Sequence, residues 1–372
     1  MFLCCWMIWR FASDVWSPRE GLIAACFTAF FLTFGIPSAV MALAPDLLMI
    51  LPHTAAIFLA WRGRVFWSGA AAGIAMLVNS KAIFVLAACA LWTWRSPALL
   101  LAGFALPNIA ALAWFGWPYI HEVYTWGAMY SEQTFAFDTG ITRTLNWAGF
   151  HAALIAGAIV TIWKERRRRM VIWFVLGFIP VAAGWRFFPR YYFQLLPVVA
   201  LLAARGYILL GRKRIIVLLL LLVPLVRFGP RYVTLASDLV HHRQTEWSDI
   251  SMNQDSHAAA DKLGREGTLL VWGYRPDIFA YTRMPAGTKF LDSQPLTGVL
   301  ADRHLTNSTA AAPEWAAQNR RDLITTEPTW IVDGLGPYNP ALAITNYPDL
   351  KAWLSNYHEY ARTDHTIIYK HN

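Results

Sequence analysis

The sequence predicts a polytopic α-helical membrane protein followed by an extracytoplasmic α/β domain, and three observations carry that fold class. Of 372 residues, 56% are hydrophobic and 15% charged, with a mean hydropathy of +0.37; soluble domains carry about 25% charged residues. Apolar blocks of membrane-spanning length recur up to about Phe228, after which Asp, Asn, Thr and Pro enter the sequence. The basic residues gather in short clusters between those blocks, at 62–64, 164–169 and 212–214. We therefore expect a multi-span region over residues 1–228 and a second domain over 229–372.

The N-terminal stretch MFLCCWMIW lacks a basic n-region and no small-residue cleavage site follows before Arg10, so a cleavable signal peptide is not expected there. Nine apolar residues are too few to span a bilayer, and the chain reads as starting inside a helix whose beginning is missing. Lys and Arg of short loops stay in the cytoplasm, so KERRRR at 164–169 and RKR at 212–214 fix the sides. Alternation then gives spans at 21–43, 45–60, 97–116, 145–163, 170–185, 191–210 and 215–228.

The stretch GIAMLVNSKAIFVLAACALW, at 73–92, decides the remaining topology. One helix over 66–94 would bury Lys81 at mid-bilayer and put Arg10, Arg19, Arg62 and Arg64 outside. Two short helices turning at Asn79, Ser80 and Lys81 keep all four arginines in the cytoplasm. They also avoid a central lysine, which costs roughly 3 kcal/mol or more. The two-helix reading is preferred, and it gives nine full spans plus the N-terminal stub. Each half reaches about 20 Å against about 30 Å of hydrocarbon, so Lys81 is expected in a recess below the outer headgroups. Trp61, Trp67, Trp92, Trp94, Trp114 and Trp117 mark span edges as an aromatic belt.

This topology leaves basic groups on the outer side: Lys81, Arg143, Arg186 and Arg190. Asp46 opens the inward span 45–60 at that same level. The loop 117–143 carries Glu122, Tyr124 and Tyr130 as substrate-loop candidates, beside His121, Glu132 and Asp138. Cations with a few carboxylates around an outward cavity suit an anionic lipid headgroup and the transfer of a polar group attached to it. Each residue also has a plainer reading. Arg186 and Arg190 can snorkel beside Tyr191 and Tyr192, Asp46 can cap a helix after Pro45, and His53 reads as a hydrogen-bonded core histidine. Lys81 needs an anion, and nothing adjacent in sequence supplies one.

The basic clusters are better read as cytoplasmic anchors than as a nucleic-acid surface, despite a net charge of +9. Cys4, Cys5, Cys26 and Cys89 lie in or beside apolar segments without CxxC or zinc-ligand spacing, which argues against a disulfide framework or structural metal.

The ordered segments PDLLMILP, AWRGR, AGIAMLVNSKAIF, RTLNWAGFH and FFPRYYFQLLPVVALLAARG resemble the C-type (GT-C) membrane glycosyltransferases. The branch they resemble is bacterial family 39, which is similar to protein O-mannosyltransferases and the lipid A aminoarabinose transferase. The resemblance covers most of residues 20–210. It implies a polyprenyl-phosphate-linked sugar donor, an unknown glycan, lipid or protein acceptor, and inversion at the outer face of the bacterial cytoplasmic membrane. By the same resemblance Lys81 matches a ligand of the lipid phosphate, and Arg190 a basic position beside the leaving phosphate. Asp46 matches an acidic residue lining the sugar or a divalent metal ion, whereas Arg143 and Arg186 correspond more weakly. The family's general base, an Asp in the first outer loop, has no counterpart here, since Asp14 and Glu20 fall in a cytoplasmic turn. The expectation is that an N-terminal span and loop are lacking, or that the copy is degenerate.

In the tail the periodicities predict helices at 257–266, 314–325 and 348–357 and strands at 268–273, 329–334 and 365–370. No GxGxxG, P-loop or GxSxG appears, so packing support or acceptor binding is expected of it. Two rival functions remain. A lipid or glycan transporter would show inverted repeats and broken mid-membrane helices, and no repeat is found. A non-catalytic membrane subunit is favoured by the absent base.

Overall fold

The computed structural model describes all residues except 35–43, 126–136, 184–186, 244, 246 and 301–306. The chain divides into two compact units, Met1–Thr234 and Leu235–Asn372. The division expected after residue 228 falls inside a helix that runs on to Val240.

In the first unit, helix α1 (Phe2–Val15) is followed by α2 (Pro18–Thr33), whose start is set by Ser17 accepting from the Arg19 amide and by Pro18 in the first turn. Next come α3 (Pro45–Trp61), α4 (Val65–Val78), α5 (Ile83–Trp92) and α6 (Pro97–Phe115). Gly63, at φ +70°, supplies the left-handed residue of the turn between α3 and α4. Then follow α7 (Phe137–Phe150), α8 (Ala152–Glu165), α9 (Arg168–Ala182), α10 (Leu196–Leu209) and α11 (Gly211–Val240).

The backbone breaks where the sequence places its turn. Asn79 is extended at φ −157°, a 3₁₀ turn covers Ser80–Ala82, and α5 folds back along α4. The reversal is evident at the far end, where the Trp92 ring closing α5 lies 6.3 Å from Trp61 at the end of α3, four residues before α4 begins. Cys89 of α5 likewise sits against Ser68 of α4.

Helices meet at glycine. A Cβ on Gly69 would lie 2.0 Å from the Leu100 carbonyl oxygen, and one on Gly103 the same distance from that of Phe66, so α4 and α6 touch backbone to backbone. The Gly206–Gly157 contact repeats this between α10 and α8, with 1.9 Å from a Gly206 Cβ to the Gly157 carbonyl oxygen. Small-residue interfaces of this kind bring helices together where lipid removes the hydrophobic drive.

Ion pairs gather the turns at one end. Asp14 binds Arg62, with Arg10 at 3.6 Å. Arg205 reaches Glu20 at 2.7 Å and Glu165 at 2.6 Å, and Glu165 also accepts from Arg167 at 2.8 Å and from the Trp16 indole at 3.2 Å. Asp14, Trp16, Glu20, Arg62, Glu165, Arg167 and Arg205 are therefore gathered at one end of the helical unit. His53 is the core histidine expected: the Trp173 indole donates to its Nε2 at 2.7 Å.

Two helices, Pro97–Phe115 and Gly211–Val240, are long and apolar enough to cross a membrane. A third is added if Gly140–Phe150 and Ala152–Glu165 count as one span bent by 87°. Shorter apolar helices lie at Pro45–Trp61, Val65–Val78, Ser80–Trp92 and Leu196–Leu209. Nine full spans are thus not shown among the described residues. The expected straight span 145–163 is broken at His151, because FDTGITRTLNWAGF carries Thr, Arg and Asn on one face and is amphipathic rather than apolar. The N-terminal stub is a 14-residue helix ending at Val15.

The second unit opens with α12 (Ser248–Lys262) and carries α13 (Asp277–Thr282) and α14 (Pro313–Leu323). Its sheet holds β1 (Leu269–Trp272), β2 (Trp330–Asp333), β3 (Tyr357–Arg362) and β4 (Ile367–His371) in the order β1-β2-β4-β3. β1 and β2 are parallel, and the other pairs antiparallel. Leu270, Trp272 and Ile331 pack on one face, and Leu269, Val271, Trp330 and Val332 on the other, so both faces are covered. The helix expected over 348–357 is instead a 3₁₀ turn and a four-residue helix, followed by the unforeseen strand β3. Asn356 and Tyr357 leave the helical pattern because Tyr357 pairs across the sheet with His371.

Candidate functional site

The site lies at the end of the helical unit away from the ion-paired turns. α3 has Asp46 in its first turn and Arg62 just past its last, 16 residues or about 24 Å apart along the helix. Asp46 is not the N-cap of α3, a position held by Ala44. Its carboxylate, 4% exposed, receives the Lys81 ammonium at 3.1 Å. The short α4–α5 turn carries that lysine to it. Asn79 holds the turn by accepting the Lys81 amide at 3.1 Å and directs its own amide to Asp46 Oδ1 at 3.4 Å. Asp46 thus supplies the anion that the sequence around Lys81 lacks, from 35 residues away.

The 3₁₀ segment Pro189–Gln194 completes the wall. The Lys81 Nζ lies 2.8 Å from the Tyr191 ring centroid, a cation against an aromatic face. Two guanidiniums share the Phe188 ring, that of Arg143 at 5.2 Å and that of Arg190 at 5.3 Å, and Arg190 also lies 6.0 Å from the Tyr191 ring. Tyr192 turns the other way. Its hydroxyl meets that of Thr144 at 2.7 Å and its ring stacks on Trp147 at 5.1 Å, which fixes α7, and with it Arg143, to this segment. Phe187, at φ +47°, occupies the left-handed region unfavourable to a bulky residue, with its ring against Gly140.

Four of the residues singled out in the sequence are therefore linked: Lys81, Arg143 and Arg190 share the neighbouring rings of Phe188 and Tyr191, and Asp46 joins them through Lys81. Tyr124 does not join them through these contacts. It stacks edge-on with Tyr119 at 5.9 Å, and Tyr119 donates to Asn108 on α6. Arg186 and Tyr130 lie outside the described residues, as does the side chain of Glu122. Sequence reasoning placed Asn79 in the turn but missed its bond to Asp46, and missed Phe188 and the ring role of Tyr191. The available signal was the density of aromatics beside arginine in FFPRYYF, which supplies faces for cations.

Among the described residues, the Lys81–Asp46 pair and the guanidiniums of Arg143 and Arg190 on the Phe188 ring make a cation-rich, aromatic-walled group suited to a phosphate ester. The described partners of Asp46 are the Lys81 ammonium and the Asn79 amide, and among the described residues no group of three His, Cys, Asp or Glu side chains could hold a metal ion.

No protein-family model matches the chain, and no curated protein or solved structure matches it either.

Proposed function

We propose that this chain is an inverting GT-C-type glycosyltransferase that takes a sugar from a polyprenyl-phosphate donor at the outer face of a bacterial cytoplasmic membrane. The observation that supports this reading is the gathering of Lys81, Arg190 and Arg143 on the rings of Phe188 and Tyr191, with Lys81 paired to Asp46, at the end opposite the basic turns. In the reaction an acceptor oxygen attacks the anomeric carbon from the face opposite the phosphate. The sugar–phosphate C–O bond breaks, and the phosphate departs with the electron pair. Lys81 and Arg190 would meet that developing charge, and Asp46 would hold the ammonium in place before the donor arrives. The acceptor's proton passes to a base that no residue described here is assigned to supply.

The test is turnover of a lipid-linked sugar by reconstituted protein. Lys81→Ala and Arg190→Ala are each expected to lower turnover by about 10²–10³-fold, the usual loss for a group stabilising developing negative charge. Turnover within twofold of wild type for Lys81→Ala would sink the donor-phosphate role.

The membrane-subunit reading is favoured by one observation: Lys81 already has a carboxylate partner. Buried ion pairs can often be replaced by well-packed apolar pairs of similar volume without loss of stability. The double variant Asp46→Leu/Lys81→Met separates the two readings. A mere strut swap leaves both thermal stability and partner assembly intact, whereas the enzyme keeps stability and loses turnover.

A further inference from the structure

At the opposite end of the helical unit, the turn between α8 and α9 borders an open cavity of about 370 Å³ lined by Arg166, Arg167, Arg168, Arg169, Trp61 and Met170. Its size falls within the range of about 300–1,000 Å³ found for small-molecule sites. Arg166 closes α8 in the left-handed conformation, at φ 45°, and the Arg168 amide donates to its carbonyl at 2.7 Å. That tight reversal sets consecutive arginines around one concavity, where an unbroken helix would spread them about 100° apart.

Among the described residues most of the charge there is uncompensated. Arg167 is engaged by Glu165 at 2.8 Å and lies 5.4 Å over the Trp16 ring. Arg166, Arg168 and Arg169 have no ion-pair partner among the described residues. The three carboxylates at this end are already committed, Asp14 to Arg10 and Arg62, Glu20 to Arg205, and Glu165 to Arg205 and Arg167. The rest of the wall is apolar and firm. Met170 is 1% exposed, and the Trp61 ring is held by Phe11 at 6.4 Å and Trp92 at 6.3 Å.

We infer that this cavity binds the headgroup phosphodiester of an anionic phospholipid on the leaflet facing the basic turns. Guanidiniums take phosphate oxygens in pairs, and an indole beside them sits at the depth where glycerol joins acyl chain. Basic pockets between membrane helices select anionic headgroups by this chemistry. The inference rests on the helical unit lying in a bilayer and is independent of the sugar-transfer proposal.

Native mass spectrometry of the full chain in detergent, titrated with phosphatidylglycerol or phosphatidylcholine, tests it without any activity readout. Wild type is expected to retain one phosphatidylglycerol with at least a tenfold preference over phosphatidylcholine. The variant Arg166→Gln/Arg168→Gln/Arg169→Gln is expected to lose about a hundredfold in phosphatidylglycerol affinity, at about fivefold per cation. The control Arg212→Gln/Lys213→Gln/Arg214→Gln removes equal charge from the neighbouring turn, outside the cavity lining, and is expected to retain the lipid. Equal losses in both variants would mean general surface attraction and overturn the site. So would displacement of the lipid by equimolar glycerophosphoglycerol, which would reassign the cavity to a soluble phosphodiester. Should the triple variant misfold, Arg169→Gln alone decides, with an expected fivefold loss against none for Arg212→Gln.

Discussion

Asp333, at the end of β2, illustrates how a single buried carboxylate organises a loop. Its Oδ1 accepts the amides of Leu335 and Gly336 at 2.9 and 2.7 Å, and its Oδ2 that of Ile344 at 3.1 Å. Burial lifts the carboxyl above its ordinary range, while those amide donors pull the other way. With the folded pKa the higher, the group favours folding below its unfolded value of about 3.9, and that contribution is lost as pH rises through the folded pKa. Melting profiles between pH 4 and 7 are therefore expected to slope less for Asp333→Asn than for wild type; identical slopes would remove Asp333 as the cause. Residue-scale chemistry was partly legible in the sequence. Lys81 was conspicuous as one charge in an apolar run, but its partner Asp46 was not, since 35 residues of chain separate them and only the hairpin closes the gap. Arg275 escaped notice altogether, although it is 2% exposed and bound to Asp255 at 2.7 Å, because an arginine in a polar tail looks like surface.

At the scale of elements, the helix pairs stand or fall on glycine. Gly206 lies against the Gly157 backbone at a distance no Cβ allows, so Gly206→Val is expected to separate α10 from α8 and cost about 2–4 kcal/mol, read as a lowered melting temperature in detergent. Gly149 has open space and an ordinary φ within α7, so Gly149→Ala is expected to be neutral or stabilising by up to about 1 kcal/mol. The α4–α5 hairpin makes a sharper prediction. Spin labels at Trp67 and Leu91, both exposed, would sit about 36 Å apart along a continuous rod. Dipolar spectroscopy is expected to give a far shorter distance, and a value near the rod length would refute the fold-back. The hairpin was readable because charge sidedness and a central lysine both opposed a single helix. The 87° bend at His151 was not, since the apolar content of 145–163 masked the amphipathic pattern beginning at Phe137.

Across the whole helical unit, the charges divide into two populations. Arg10, Arg62, Arg167 and Arg205 pair with Asp14, Glu20 and Glu165, while Lys81, Arg143 and Arg190 gather on the rings of Phe188 and Tyr191, with Asp46 bound to Lys81. If that division follows the bilayer, a membrane-impermeant thiol reagent applied to intact spheroplasts of a variant lacking native cysteines is expected to label Asp138→Cys and to spare Gly63→Cys and Gly211→Cys. Labelling of all three, or the reverse pattern, would dismantle the sidedness. The sequence by itself determined which segments are apolar, where basic turns interrupt them, and that the tail is built from alternating helix and strand, because composition and period are local quantities. Tertiary structure alone decided which helices are long enough to cross, that β3 forms from residues beginning at Tyr357, and that Lys81 finds Asp46, because each of these depends on contacts between residues far apart in the chain.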